Sequence, residues 1–306
     1  MKNHCRMIVG MLLAFQIVGL AQGQTAKTAL ADREFKTRVD LVYARSTSRE
    51  LCLDLYVPVS HSPVPIIIWV HGGAWRQGGK RLSKARVREV INRGYALASV
   101  EYRLSQEALF PAQIQDCKAA IRWLRAHAKQ YGFNGQRIGV WGSSAGGHLV
   151  ALLGTSGEVK SLEGVGEHLD YSSRVQAVCD WFGPTDFLQM NAHAPQDNRL
   201  DHDAADSPES QLVGGPIQAH PDKVRAANPI TYVTSDDAPF LIMHGDRDPL
   251  VPFHQSQLLY RSLQMAGVES QLRRIKGAGH GGAGFHTAEN RTALWNFFDK
   301  QLKADR

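Results

Sequence analysis

Five short, almost unbroken apolar runs punctuate this chain: Pro65–Val70, Tyr95–Val100, Arg137–Trp141, Val175–Phe182 and Phe240–His244. Each is rich in Val, Ile or aromatic residues and bounded by Gly, Pro or charge. Runs of this length without alternation read as strands buried on both faces, which is the condition of a parallel sheet covered by helices. The segments between them carry helical spacing. Ser83–Arg93, Pro111–Tyr131, Ala145–Leu153, Pro252–Ala266 and Thr287–Leu302 are the expected helices; in the second, Ile114, Cys117, Ala120, Ile121 and Leu124 recur at three- and four-residue steps. Strand and helix in alternation predict an α/β fold with a mostly parallel, doubly wound sheet. Near the N-terminus Leu51, Leu53, Leu55 and Val57 alternate with other residues, the pattern of an antiparallel edge strand.

One stretch breaks the rhythm. Asp186–Ser235 has no clear period and holds five prolines. A connection of that length inside a compact domain is usually a functional insertion, and it is the expected wall of a substrate site. Its Asp197, Asp201, His202, Asp203 and Asp206 cluster would make that wall polar. An incomplete acidic loop of this kind is more often solvated than calcium-binding, and no metal or cofactor is expected.

Composition sets the outer bounds. The 306 residues, 43% hydrophobic and 21% charged, exclude a disordered, collagen-like or coiled-coil protein. Met1–Gly23 reads as a secretory signal. Lys2 and Arg6 precede an apolar run over Met7–Leu20, and Ala21-Gln22-Gly23 offers small residues before a cut ahead of Gln24. The run is short for a membrane span. The expectation is a secreted or periplasmic protein, with one domain over 24–306 and no membrane contact after cleavage. The formal charge of +6 falls to +4 once Lys2 and Arg6 go. The basic cluster Lys80, Arg81, Lys84, Arg86, Arg88 and Arg93 reads as the solvated face of a surface helix, so no nucleic-acid partner is expected. Cys52, Cys117 and Cys179 remain beyond the signal, an odd number that forms no complete disulfide framework.

Ligands of open parallel sheets bind beyond the carboxyl ends of the strands. Four motifs stand there. Gly142-Ser143-Ser144-Ala145-Gly146 fits G-x-S-x-G between a strand and a helix, the sharp turn that lifts a serine oxygen above a sheet. Its register makes Ser144 the nucleophile. Asp248, in Gly245-Asp246-Arg247-Asp248-Pro249, is the expected carboxylate, with Asp246 holding the loop. His280, among glycines in Gly277-Ala278-Gly279-His280-Gly281-Gly282, is the expected base rather than His286. His71-Gly72-Gly73-Ala74-Trp75 presents backbone N–H groups; those of Gly73 and Ala74, with that of Ala145 at the helix start, would form an oxyanion hole. The order Ser, Asp, His is that of the α/β-hydrolase arrangement. Trp75 and Trp181 lie just past strand ends and are candidate stacking faces for substrate. His148, one turn after Ser144, reads as packing.

At this point the chain resembles the α/β-hydrolase superfamily, in particular the esterase/lipase group with an HGGG-type loop, and within it bacterial feruloyl and acetylxylan esterases. His71–Trp75, Glu101-Tyr102-Arg103-Leu104 with Phe110-Pro111-Ala112, Gly142–His148 and Trp181-Phe182-Gly183-Pro184-Thr185-Asp186 carry the closer likeness. The resemblance implies a serine carboxylic-ester hydrolase working through an acyl-enzyme, with a small ester or an esterified plant polysaccharide as substrate. Ala74 departs from the family pattern, where a third glycine is usual. An alanine keeps its N–H, so the hole is expected to survive with a negative backbone angle there. The competing readings are a serine peptidase of the prolyl oligopeptidase type and a non-catalytic binding protein on a hydrolase fold.

Overall fold

In a computed structural model the protein is described over residues 32–303, apart from 48, 158, 165 and 199, together with residue 1. The expected signal segment, Met1–Gly23, lies outside the described residues beyond Met1. In chain order the elements are β1 (Phe35–Arg45), β2 (Glu50–Pro58), β3 (Val64–Val70), α1 (Lys84–Asn92), β4 (Ala96–Val100), α2 (Ala112–Tyr131), β5 (Phe133–Ser143), α3 (Ala145–Thr155), α4 (Lys160–Glu163), β6 (Ala177–Trp181), α5 (Pro208–Val213), α6 (Pro221–Ala227), β7 (Phe240–Gly245), α7 (Phe253–Met265), β8 (Ser270–Ile275) and α8 (Ala288–Leu302). The strands form one sheet in the order β1-β2-β4-β3-β5-β6-β7-β8. Pairing is parallel from β4 through β3 to β8, and β2 joins β4 and β1 antiparallel. The fold is therefore the expected α/β sheet with an antiparallel N-terminal edge.

The central strands are buried on both faces, which explains their lack of alternation. In β3, Ile66, Ile68 and Val70 enter one core with Ile114, Ile121, Leu149 and Leu259 from α2, α3 and α7. Ile67 and Trp69 point the other way, into a second core with Val87 and Ile91 of α1 and Leu294 and Trp295 of α8. Both faces need helices, and the right-handed crossovers between parallel strands supply them.

Two sequence expectations are corrected here. The Leu51–Val57 strand is not the edge: β1 pairs outside it, and Leu51, Leu53 and Leu55 are buried. The basic cluster is not all solvated. Lys80 is buried and paired with Asp54 at 2.8 Å and Asp40 at 2.6 Å. The Arg86 guanidinium lies over Trp69 and Trp141, 4.2 and 4.7 Å from the ring centroids, where cation–π attraction replaces part of its lost hydration. Cys52, Cys117 and Cys179 are unpaired thiols. Among the described residues no helix is long and apolar enough to cross a membrane.

Candidate active site

The turn from β5 into α3 carries Ser144 at φ 56°, ψ −125°, a conformation that costs a non-glycine residue of order 1–3 kcal/mol. Its neighbours dictate the glycines. A Cβ on Gly142 would come 2.2 Å from the Gly146 carbonyl oxygen, and one on Gly146 would come 2.2 Å from that of Val70. The Ser144 N–H donates to the Trp181 carbonyl at 2.9 Å, and its own carbonyl accepts from the His148 N–H at 3.0 Å. The side chain is thus presented at the N-terminus of α3, a helix buried along its whole length.

Beyond β7, Asp248 is buried and fully engaged. Its Oδ1 accepts the N–H groups of Leu250 and Val251 at 2.8 and 3.0 Å. Its Oδ2 lies 2.7 Å from His280 Nδ1 and 3.2 Å from His244 Nε2. Burial pushes the carboxyl up, but the hydrogen bonds from the two histidines outweigh it and hold the group well below the usual carboxylate range. An ionised carboxylate only accepts, so His280 carries its proton on Nδ1 and leaves the Nε2 lone pair free to take another. The Phe182 ring lies 4.5 Å from the imidazole of His280, centroid to centroid. Asp246 fixes the neighbouring loop as expected, accepting from Gly277 N–H at 2.6 Å and pairing with Arg274 at 2.9 Å.

Ser144 and His280 line one cavity of about 70 Å³, which also meets Ala74, Trp75 and Ala145. The geometry therefore brings five sequence-predicted residues together and sets Asp248 directly behind His280. Larger hollows elsewhere, such as one of about 340 Å³ by Lys160 and Tyr171, contain none of these groups. Gly73 and Ala74 donate their N–H groups to no protein acceptor among the described residues, and Ala145 is the first residue of α3, whose N–H has no intrahelical partner. The expected negative angle at Ala74 is not found. Its φ is 55°, in the left-handed region that the third glycine of the family pattern enters without strain.

Two aromatic expectations part ways. Trp75 lines the cavity but is itself buried, its ring packed against His148 and Phe187, so it offers no open stacking face. Trp181 is corrected outright. It is buried in the second core against Trp141 and Phe285 and is not part of the cavity wall, because β6 turns it to the opposite side of the sheet. His148 packs as expected. It is buried, donates from Nε2 to the Ala227 carbonyl at 2.7 Å, and burial lowers its pKa to about 4.

The insertion after β6 does wall the site, supplying Leu200, His202, Pro208 and Glu209. Its aspartates serve their own loop: Asp201 accepts from Asn191 at 2.7 Å and Asp203 from Gln218 at 2.8 Å. Among the described residues no cluster of three or more acidic, histidine or cysteine side chains is arranged to hold a metal. One residue escaped the sequence reading. His244, the last apolar-run position of β7, reaches Asp248 from below; its Nε2 also faces the Val251 carbonyl at 2.9 Å, while Nδ1 lies 2.7 Å from the Ser256 hydroxyl.

A strained serine at an elbow, a histidine–carboxylate pair across the same small cavity, and a Gly-rich loop beside them define an α/β-hydrolase of the esterase/lipase group. More narrowly, the chain belongs to the BD-FAE family, whose model matches residues 53–263. It is 34% identical to a truncated carbohydrate esterase from gut microbiota, covering 90% of this chain and 99% of that one with a TM-score of 0.80. It is 32% identical to Esterase LipC and 34% to Esterase LipQ of Mycobacterium tuberculosis, over 83% and 72% of this chain. The matches span 62% and 51% of those two proteins' own lengths.

Proposed function

We propose that this protein is an exported serine carboxylic-ester hydrolase acting on small acyl esters of plant polysaccharide. The observation that carries the reading is the 2.7 Å contact between His280 Nδ1 and Asp248 behind the cavity that Ser144 lines. In the proposed cycle His280 Nε2 takes the Ser144 proton as the oxygen attacks the ester carbonyl. Asp248 holds the imidazole tautomer and stabilises its cation. The N–H groups of Gly73, Ala74 and Ala145 receive the developing oxyanion, each such donor lowering the barrier by roughly 3–4 kcal/mol. The imidazolium returns its proton to the leaving alcohol, and water then releases the acid by the same path in reverse.

Acetyl and feruloyl esters are the candidate substrates. The likeness to the gut carbohydrate esterase and the resemblance to feruloyl and acetylxylan esterases support carbohydrate esters. The cavity beside Ser144 is small, about 70 Å³, which supports a short acyl group such as acetyl. Export rests on the basic and apolar pattern of Met1–Gly23. The test measures acetate and ferulate released from intact xylan beside hydrolysis of emulsified long-chain triglyceride. Acetate release should dominate; a faster rate on triglyceride would make the protein a lipase.

A further inference from the structure

Phe182 follows β6 at φ 45°, a region where a bulky side chain is a genuine outlier. The strained backbone sets the direction of the ring. Along β6 the side chains alternate: Ala177 and Cys179 enter the second core, Val178 the first, and Trp181 the second again. An extended Phe182 would turn to the opposite side from Trp181. It joins Trp181 in the second core instead, with its own N–H donating to the Met243 carbonyl at 2.9 Å. There its ring meets the imidazole of His280, with centroids 4.5 Å apart and planes inclined at 57°. Phe182 is no part of the cavity wall, so its strain serves neither substrate contact nor the regular strand. We propose that Phe182 is a positioning residue for His280, the flank that stops the imidazole from swinging and keeps Nε2 within reach of Ser144. This rests on the esterase reading above.

His280 needs such a restraint. It is the middle residue of a three-residue turn, closed by the Gly281 N–H on the Gly279 carbonyl at 2.9 Å, and both its neighbours are glycines. No side chain on either neighbour anchors the turn. Among the described residues the imidazole is hydrogen-bonded through Nδ1, to Asp248 at 2.7 Å. A bond at one ring atom leaves the ring free to turn about that atom, and turning displaces Nε2. A second ring packed beside the imidazole removes this freedom. Phe182 is itself fixed, 6% exposed and packed against Phe285 and Trp181 at centroid distances of 4.9 and 6.5 Å. Nε2 has two tasks, to take the Ser144 proton and to hand it to the leaving alcohol, and both depend on its place.

The test measures kcat/KM on p-nitrophenyl acetate and ethyl acetate, beside denaturant unfolding. Phe182→Ala and Phe182→Gly both remove the ring, and glycine also relieves the strain. Both should lose on the order of ten- to a hundredfold on p-nitrophenyl acetate, with the glycine variant unfolding at the higher denaturant concentration. On ethyl acetate the loss should be several-fold larger, because p-nitrophenolate departs without the proton that an alkoxide needs from His280. Phe182→Tyr keeps the ring and should stay within about threefold of the wild-type protein. Phe182→Leu refills the volume and guards against a failure to fold; without a flat ring it should still lose about tenfold. A folded Phe182→Leu protein within about threefold of wild type on both esters overturns the proposal. So does activity that recovers with stability from Ala to Gly, or an equal loss on the two esters, since either makes Phe182 core packing alone. If the wild-type protein hydrolyses neither ester, the esterase reading itself fails, and this proposal with it.

Discussion

Replacing Gly146 by alanine tests whether the elbow and the Gly-rich loop must be held as close as the structure holds them. The new Cβ would stand 2.2 Å from the Val70 carbonyl oxygen and 2.6 Å from that of His71. Real Cβ atoms come no closer than 3.0 Å, so the two backbones must part by at least about 0.8 Å. Neither side yields easily. Val70 ends a central strand paired on both sides, and α3 is buried along its length. Ser144 sits two residues before the wedge and the Gly73–Ala74 donors just after Val70. The shift therefore opens the distance between nucleophile and oxyanion site. A misplacement near 1 Å costs on the order of 10²-fold in rate, about 2.7 kcal/mol of barrier. Stability should fall less. Overpacking costs about 1–3 kcal/mol, offset by roughly 1 kcal/mol from the better helix propensity of alanine. The assay pairs kcat/KM on p-nitrophenyl acetate with denaturant unfolding. Gly79→Ala is the control, since a Cβ there meets nothing within 4 Å. A folded Gly146→Ala protein with kcat/KM within about threefold of wild type would refute the reasoning.

Ser144→Ala should lower kcat by on the order of 10⁴–10⁶ with the fold intact, and Ser143→Ala should keep substantial activity; burst titration and circular dichroism check both, and the reverse outcome would shift the elbow register. Asp180, buried behind the elbow with only the Gly183 N–H on its Oδ1, has its pKa raised by burial to about 7. The native state then binds more protons than the unfolded chain between about pH 4 and 7, so stability falls as pH rises through that window. Asp180→Asn should remove this component, of order 4 kcal/mol in full, and the wild-type-minus-variant difference in unfolding free energy should fall as pH rises from 4 to 7; a pH-independent difference would contradict it.

The central strands were legible because burial on both faces writes itself into composition, and the motifs beyond β3, β5 and β7 because sharp turns need glycine. What escaped did so for local reasons. β1 is mostly exposed, and β8 (Ser270–Ile275) is a polar sheet edge, so neither shows an apolar run. Trp181 could not be placed without knowing which face of β6 it takes. His244 looked like the end of a strand; only the β7 turn reveals that four residues later Asp248 folds back onto it. His202 and Glu209 lie seven residues apart in an aperiodic insertion, where no spacing foretells their 3.1 Å contact.

Backbone strain marks the same place as the chemistry. Among the described residues Asp40, Ala74, Trp75, Ser144, His168 and Phe182 are the non-glycines at positive φ. Ala74, Trp75 and Ser144 line the cavity, and Phe182 packs on His280. Each such backbone conformation costs of order 1–3 kcal/mol, so the surroundings must hold it. They do so through backbone bonds that reach into neighbouring strands and loops: Ser144 N–H to Trp181 at 2.9 Å, Phe182 N–H to Met243 at 2.9 Å, and Ser105 N–H to the Trp75 carbonyl at 2.8 Å. Asp248 is held in the same manner by side chains. His244 cannot serve as a base there, because its Nε2 faces two acceptors, the Val251 carbonyl and Asp248, and so must keep its proton. It donates that proton towards Asp248 and keeps the carboxylate ionised and in position for His280 alone. Strained turns and a doubly held carboxylate are thus two forms of one device. The sheet's rigidity is spent on fixing atoms whose favoured positions, left to themselves, lie elsewhere.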